Sequence, residues 1–294
     1  VCHRPDAQRS AALLDDTMPS KRAVILEQLQ AVSLTDDASF DIGEAALLLA
    51  AFDHPGAALT PYRAHLSALA DDARHATTRL ASVGVQVMAL QRVLLTRHGY
   101  SAGEADPASW GDIDLIDTID RRQGQAATLG ILYVHAARAY GAAIEVLNFP
   151  QSFLVRLTAR GQRVIIDPAD VRRTLDAGDL RRRLKLLQGQ AAEVNAAHYE
   201  AISDREALFR LYNGLKISAI AAGTLPRALD ILEALRVLVP ARSELWWETG
   251  VLLGRLGNVS TAISTLEAYL SAAAPASGRD QIEDLLKRLR ARAP

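Results

Sequence analysis

The sequence predicts an α+β fold, in which a mostly helical core with a small antiparallel sheet precedes a C-terminal array of helical hairpins. The chain holds 52 alanines and only 5% Phe, Trp and Tyr, a composition that favours helices over sheets. Helical hydrophobic spacing gives way at Gly141 to short runs of β-branched residues. From Gly223 onward the sequence repeats itself at an interval of 34 residues.

The segment before Gly99 carries the apolar spacing of helices. One helix begins near Ala23, and the same spacing predicts three more over residues 42–52, 61–69 and 83–95. The sequence Asp-His-Pro-Gly at 53–56 is a turn that ends the second helix, and Gly99 ends the last one. The core therefore begins with helices.

Residues 99–120 lack clear periodicity and are rich in Gly, Asp and Ser. Their carboxylates are Glu104, Asp106, Asp112, Asp114, Asp117 and Asp120. Carboxylates suit hard cations, so a metal site is one interpretation of this segment. Their spacing matches no calcium-binding loop, and we favour a solvated acidic loop. We therefore expect no metal and no cofactor.

The pattern then changes from helix to strand. A strong helix is predicted over residues 128–140, followed by strands over 144–149, 153–158 and 164–167. The second and third strands read as a hairpin closed by Ala-Arg-Gly-Gln at 159–162. A helix followed by consecutive antiparallel strands is typical of an α+β fold and not of a dinucleotide-binding repeat.

Residues 168–200 form a charged connection. Its basic side chains are Arg172, Arg173, Arg181, Arg182, Arg183 and Lys185. A site for phosphate or for an acidic partner is one interpretation. A solvated helix face is favoured, because no aromatic residues alternate with the basic ones.

The tail shows an internal repeat. At the 34-residue offset Gly223 falls on Gly257, and Ala228 falls on Ala262. A glycine at the turn and a small residue where the two helices cross are typical of tetratricopeptide repeats. Only about two repeats are visible, so we expect the helix near residues 205–219 or the core to cover their apolar face.

Composition excludes several classes of protein. The formal net charge is −1, which provides no electrostatic basis for binding nucleic acid. The longest apolar run covers residues 45–52, far short of the roughly 20 residues that span a bilayer. Cys2 is the one cysteine, so a disulfide or a cysteine-rich metal site cannot form within the chain. We expect a cytoplasmic protein that binds neither membranes nor nucleic acids.

Three motifs follow one another in the middle of the chain. They are Arg-Arg-Gln-Gly at 121–124, Pro-Gln-Ser-Phe at 150–153 and Ile-Asp-Pro at 166–168. Together with the repeat tail, their order resembles the SirB-type branch of the transglutaminase-like superfamily. The resemblance implies a papain-like, transglutaminase-like domain over residues 22–195, a tetratricopeptide-like domain over 196–294, and a flexible extension over 1–21.

The resemblance also implies where a catalytic triad would lie. Such chemistry needs a thiolate at a helix N-terminus, an imidazole beside it and a carboxylate that orients the imidazole. At the matching positions this chain has Ala126, Ser152 and Asp167. Ala126 has no nucleophilic atom, and Ser152 cannot act as a base near neutral pH. We expect a catalytically inactive domain; the alternative is a hydrolase or acyl-transfer enzyme with an unrecognised nucleophile.

Nearby polar residues have structural interpretations. Thr128 is expected to cap its helix, His135 to lie at the edge of the core, and His98 to lie at a helix C-terminus. Asp167 is expected to serve as a turn residue at the end of a strand.

An inactive core with a repeat tail suggests a protein or peptide partner. Trp246 and Trp247 begin the first helix of the second repeat and point about 100° apart around it. We expect one tryptophan to anchor the core of the array and the other to contact a partner.

Overall fold

The computed structural model describes residues 20–54, 56–103, 114–272 and 278–291. The predicted extension at 1–21 lies outside these ranges except for its last two residues, where helix α1 (Lys21–Ser33) already begins. Ser20 caps this helix through a hydrogen bond from the backbone nitrogen of Ala23 to its hydroxyl oxygen. Glu104, Asp106 and Asp112 of the acidic segment also lie outside the described residues.

The core begins with the predicted helices. They are α1, α2 (Ile42–Ala50), α3 (Thr60–Ala76) and α4 (Val83–Gln91), and α4 continues as a π-helical segment over Arg92–Arg97. Every residue of α2 except Glu44 is buried, and Asp41 caps the helix through its Oδ1. Helix α2 therefore forms the centre of the core.

A short parallel pair of strands precedes the central helix α6 (Ala126–Ala139). Strand β1 (Ser101–Ala102) pairs with β2 (Gln123–Gly124), and α5 (Leu115–Arg121) precedes β2. The prediction that Thr128 caps α6 is wrong, because the helix begins at residue 126 and Gln125 is its N-cap. The Thr128 hydroxyl instead donates to the Gln125 carbonyl oxygen and accepts from Thr118.

The sheet has five antiparallel strands in the order β6-β5-β4-β3-β7. The three predicted strands are confirmed as β3 (Ala143–Leu147), β4 (Val155–Ala159) and β5 (Gln162–Ile166). Two short edge strands complete it, β6 (Thr174–Leu175) and β7 (Ala201–Ile202). Both are too short to show a hydrophobic pattern in the sequence.

The hairpin between β4 and β5 closes as predicted. Ala159 pairs with Gln162, which leaves Arg160 and Gly161 as a two-residue turn. Their φ angles are 51° and 76°, the left-handed combination that suits the twist of a hairpin. Arg160 Nε donates to the Leu80 carbonyl oxygen at 2.8 Å, which ties the turn to the start of α4.

The basic connection between β5 and the repeats contains helix α7 (Ala177–Gln188) and a 3-10 turn (Ala196–Tyr199). Five of its six basic residues form ion pairs within the segment or with the adjacent strand end. The pairs are Arg173 and Arg182 with Asp179, Arg183 with Asp167, and Arg181 and Lys185 with Glu193. These internal pairs agree with the predicted solvated helix face and leave little charge for an added phosphate.

The repeat array is confirmed as antiparallel helices. They are α8 (Asp204–Ala221), α9 (Leu225–Leu238), α10 (Ser243–Arg255), α11 (Val259–Ser271) and α12 (Arg279–Arg290). Gly223 and Gly257 have φ angles of 75° and 81°, which the turn between two helices requires. Ala228 and Ala262 are fully buried at the helix crossings, as the repeat pattern predicts.

The array is joined to the core by packing and by ion pairs. Helix α9 packs on α1, and α8 packs on α2. Arg138 at the end of α6 donates to Asp204 at the start of α8, with one contact of 2.9 Å. Strand β7, directly before α8, is part of the core sheet. None of the helices in the described ranges is long and apolar enough to cross a membrane.

Candidate functional site

Neighbours of two of the positions matched to a catalytic triad pack on the N-terminal half of α6. Ala126 is its first residue, so this position lies at a helix N-terminus as expected. One turn later is Gly130, where an added Cβ would lie 2.3 Å from a ring atom of Phe153 and 3.1 Å from Pro168. Phe153 follows Ser152 and Pro168 follows Asp167. The residues that follow Ser152 and Asp167 therefore pack against α6 one turn from Ala126.

The side chains at the first two of these positions differ from the thiol and imidazole that the resemblance implies. Ala126 presents a methyl group, and Ser152 a half-buried hydroxyl. Asp167 is buried; its Oδ1 accepts from the Ala169 backbone nitrogen at 2.9 Å, and its Oδ2 accepts from Arg183. Asp167 thus forms the predicted turn, and its second oxygen pairs with a guanidinium.

The other polar residues singled out near α6 have structural partners. His135 Nε2 lies 3.1 Å from the Leu66 carbonyl oxygen, and Nδ1 lies 3.4 Å from Asp41 Oδ1. Burial opposes protonation, but the contacts with Asp41 outweigh it and raise the pKa of His135. His98 ends the π-helical segment and pairs with Asp72 at 2.8 Å. Both histidines lie where the sequence predicted.

A second group of polar side chains surrounds a cleft of about 480 Å³. We call it the Arg122 cleft; its lining residues are Ala58, Pro61, Tyr62, His65, Ile119, Asp120 and Arg122. Arg122 ends helix α5 in the left-handed conformation, with φ 57°. Its NH1 donates to the Tyr100 hydroxyl at 2.8 Å and to His65 Nε2 at 2.6 Å.

The geometry around Arg122 fixes the protonation state of His65. A guanidinium cannot accept a hydrogen bond, so the facing Nε2 carries no proton and His65 is neutral. Burial, Arg122 and His98 together lower the pKa of His65 to about 4. Burial raises the pKa of Tyr100 to about 12. The cleft therefore holds one fixed cation beside a neutral imidazole and a neutral phenol.

An acidic side chain also lines the cleft. The Tyr62 hydroxyl donates to Asp120 Oδ2 at 2.9 Å. Burial and Asp120 raise the pKa of Tyr62. In the sequence, Arg122 is part of the Arg-Arg-Gln-Gly motif. No pattern in the sequence indicates that His65 and Tyr100 contact it.

A small cluster at the start of α5 joins two acidic residues to a histidine. His54 Nε2 lies 2.9 Å from Asp114 Oδ2 and 3.8 Å from Asp117 Oδ1. These three ligand atoms lie within 4.8 Å of one another, a spacing that could hold one cation. Burial raises the pKa of Asp114. The His54–Asp114 pair and the helix cap account for the cluster without an ion, and the expected absence of metal stays a prediction.

The two tryptophans of α10 have different surroundings. The Trp246 ring lies 5.1 Å from that of Tyr269 on α11, and the Arg236 guanidinium lies 4.6 Å from the Trp246 ring. Its indole nitrogen donates to the Pro240 carbonyl oxygen at 3.4 Å. Both tryptophans are half-buried against the same apolar cluster. Because Trp246 makes these additional contacts, we expect it to be the anchor, and Trp247 stays the candidate for a partner contact.

Comparison with known proteins agrees with this architecture. The family model described as transglutaminase-like superfamily matches residues 60–213. The chain belongs to the transglutaminase-like superfamily. A model described as tetratricopeptide repeat matches residues 215–289, directly after it. The resemblance seen in the three motifs and the repeat tail is thereby confirmed.

The similar curated proteins are bacterial. A UPF0162 protein of one Xylella fastidiosa strain is 25% identical over 242 residues, which cover 81% of this chain and 86% of that protein. Its counterpart in a second strain is 24% identical, with 84% and 89% covered. A UPF0162 protein of Pseudomonas aeruginosa is 36% identical over 105 residues, covering 36% of this chain and 38% of the relative. No solved structure matches the chain significantly.

Proposed function

We propose that the chain is a protein-interaction module whose transglutaminase-like domain is catalytically inactive. The observation that carries the proposal is the methyl group of Ala126 at the N-terminus of α6. The dipole of a helix lowers the pKa of a thiol placed there, but alanine has nothing to ionise. Asp167 supports the proposal, because its carboxylate is paired with Arg183 and the Ala169 nitrogen.

The binding function is assigned to the repeat array. Stacked helical repeats form extended surfaces that recognise peptides and proteins. Helix α12 buries its apolar residues on the last repeat and so closes the array at that end; they are Ile282, Leu285, Leu286 and Leu289. The module works in the cytoplasm in this proposal, because a chain with Cys2 as its one cysteine makes no use of an oxidising compartment.

The first experiment rebuilds the triad. In a Cys2→Ser background, the double variant Ala126→Cys, Ser152→His is expected to react with iodoacetamide near pH 7 about tenfold faster than Ala126→Cys alone. The reason is that an imidazole beside the thiol favours the thiolate. Ala127→Cys, at a buried neighbouring position, is the control and should react slowly. Equal rates for the single and double variants would show that positions 126 and 152 are not matched to a triad.

The proposal itself is tested on the unmodified chain. We expect no hydroxamate to form when the chain is incubated with a glutaminyl peptide and hydroxylamine. Hydroxamate formation above the buffer blank, lost on heating the protein, would establish the enzymatic alternative and end the proposal.

The two tryptophans are expected to respond differently to truncation. Trp246→Ala should lower the free energy of unfolding by about 2 kcal/mol, because it removes the contacts with Tyr269 and Arg236. Trp247→Ala should cost less stability and reduce the amount of partner captured on the immobilised chain. Urea denaturation and capture from lysate of the source organism measure the two effects. Equal losses of stability and capture in both variants would contradict the division of roles.

A further inference from the structure

The Arg122 cleft is lined by a guanidinium and by one carboxylate, that of Asp120. Arg122 forms no ion pair with any residue in the part of the chain that the structure describes; its partners are His65 and Tyr100. Its sequence neighbour Arg121 instead pairs with Asp117. The backbone at Arg122 is left-handed, a conformation that costs a residue other than glycine about 1 kcal/mol. This conformation ends helix α5 and places Arg122 in the lining of the cleft.

The Arg122 guanidinium retains hydrogen-bond donors for a ligand. Its NH1 is engaged, whereas NH2 approaches only His65 Nδ1, at 3.5 Å. A guanidinium has five N–H donors arranged in a planar fork, which matches the two oxygens of a carboxylate. His65 and Tyr100 hold the side chain through hydrogen bonds to NH1, so little rotamer entropy is lost when an anion binds.

The remaining walls complement an organic body attached to such an anion. Ala58, Pro61 and Ile119 supply apolar surface, and Asp120 supplies an acceptor beside Tyr62. The cleft is open to solvent, and its volume of about 480 Å³ leaves room for a small molecule of dipeptide size. We propose that the Arg122 cleft binds a small organic carboxylate that also carries a hydrogen-bond donor, such as a short peptide with a free C-terminus.

Two features favour a monoanion over phosphate. Arg122 lies at the C-terminus of α5, where the helix dipole is negative, whereas phosphate sites typically use helix N-termini. Asp120, which lines the same cleft, would repel a second negative charge. A cleft with one guanidinium and the carboxylate of Asp120 therefore matches a molecule that has a single carboxylate and whose other end is neutral or cationic.

The test is calorimetric titration of the full chain at pH 7 with the dipeptide Ala-Ala, its C-terminal amide and inorganic phosphate. We expect a Kd of about 1 mM or tighter for the dipeptide and at least about tenfold weaker binding of the amide. Arg122→Gln should weaken dipeptide binding at least about tenfold, while the matched control Arg121→Gln should leave it unchanged. Arg122→Lys is the control for a loss of stability in Arg122→Gln, because it keeps the positive charge. It should bind the dipeptide with an affinity between those of the unmodified chain and Arg122→Gln.

A second measurement reads the same site through His65. The charged and titratable groups around this imidazole are Arg122, His98 and Tyr100, and Asp72 pairs with His98. A bound carboxylate offsets the charge of Arg122, so saturating dipeptide should raise the pKa of His65 in an NMR titration above its value near 4. Tighter binding of phosphate or the amide, no effect of Arg122→Gln, or an unmoved His65 pKa would each overturn the proposal.

Discussion

Replacing Glu248 by alanine is expected to lower the free energy of unfolding by about 3 kcal/mol. Lys216 on α8 is the reason: its side chain is only 4% exposed, and its ammonium pairs with Glu248 on α10. Without the carboxylate, a charged ammonium would remain buried between two helices of the array. This single pair also ties the first hairpin of repeats to the second.

A double-mutant cycle separates the interaction energy of the ion pair from the cost of burying its charges. Lys216→Met with Glu248→Leu should recover most of the stability lost in Glu248→Ala, because an apolar pair has no desolvation penalty. Glu267→Ala is the matched control, since its pair with Arg290 is exposed and should contribute less than about 1 kcal/mol. Urea denaturation measures all variants. A loss in Glu248→Ala no larger than in Glu267→Ala would show that Lys216 reaches solvent on its own.

Features set by local sequence could be predicted. The turn at Arg160 and Gly161 needs two left-handed residues, and the flanking runs alternate as strands do. The repeat array could be predicted for a similar reason: Gly223 and Ala228 each perform one steric task within their own helical hairpin. Each signal lies within one repeat, so no long-range contact had to be known.

Features that depend on distant residues could not be predicted. His54 meets Asp114 across 60 positions, and Arg122 meets His65 across 57. Strand β7 pairs with β3, which lies far from it in the sequence. Its two residues are too few to show an alternation of apolar and polar side chains. The segment Arg92–Arg97 reads as ordinary helix in the sequence, because a π-helical turn leaves the apolar spacing nearly unchanged.

The candidate site divides in the same way. The motif order located Ala126 at a helix N-terminus and Asp167 at a strand end, because both positions follow from neighbouring residues. The Arg183 contact to Asp167 comes from a different helix and had appeared only as part of a basic run. A sequence shows how many basic residues a segment has. Which acidic residues they pair with is seen only in the folded structure.

Gly130→Ala is expected to destabilise the chain by about 2 kcal/mol, although alanine is normally the better helix former. The new Cβ would lie 2.3 Å and 2.4 Å from two ring atoms of Phe153, a buried side chain that has to shift. Gly84→Ala on α4 is the control, because its Cβ would meet no atom within 4 Å. There we expect unchanged or slightly increased stability in the same urea titration.

The same substitution probes the site, because Phe153 follows Ser152 directly and a displaced ring moves that position away from α6. In the variant carrying Ala126→Cys and Ser152→His, adding Gly130→Ala should therefore slow alkylation of the thiol towards the rate of Ala126→Cys alone. Adding Gly84→Ala should leave the rate unchanged. If Gly130→Ala proved as stable as Gly84→Ala and left alkylation fast, the ring of Phe153 would not pack on Gly130 of α6 as described. The triad positions that the resemblance implies would then lose this support.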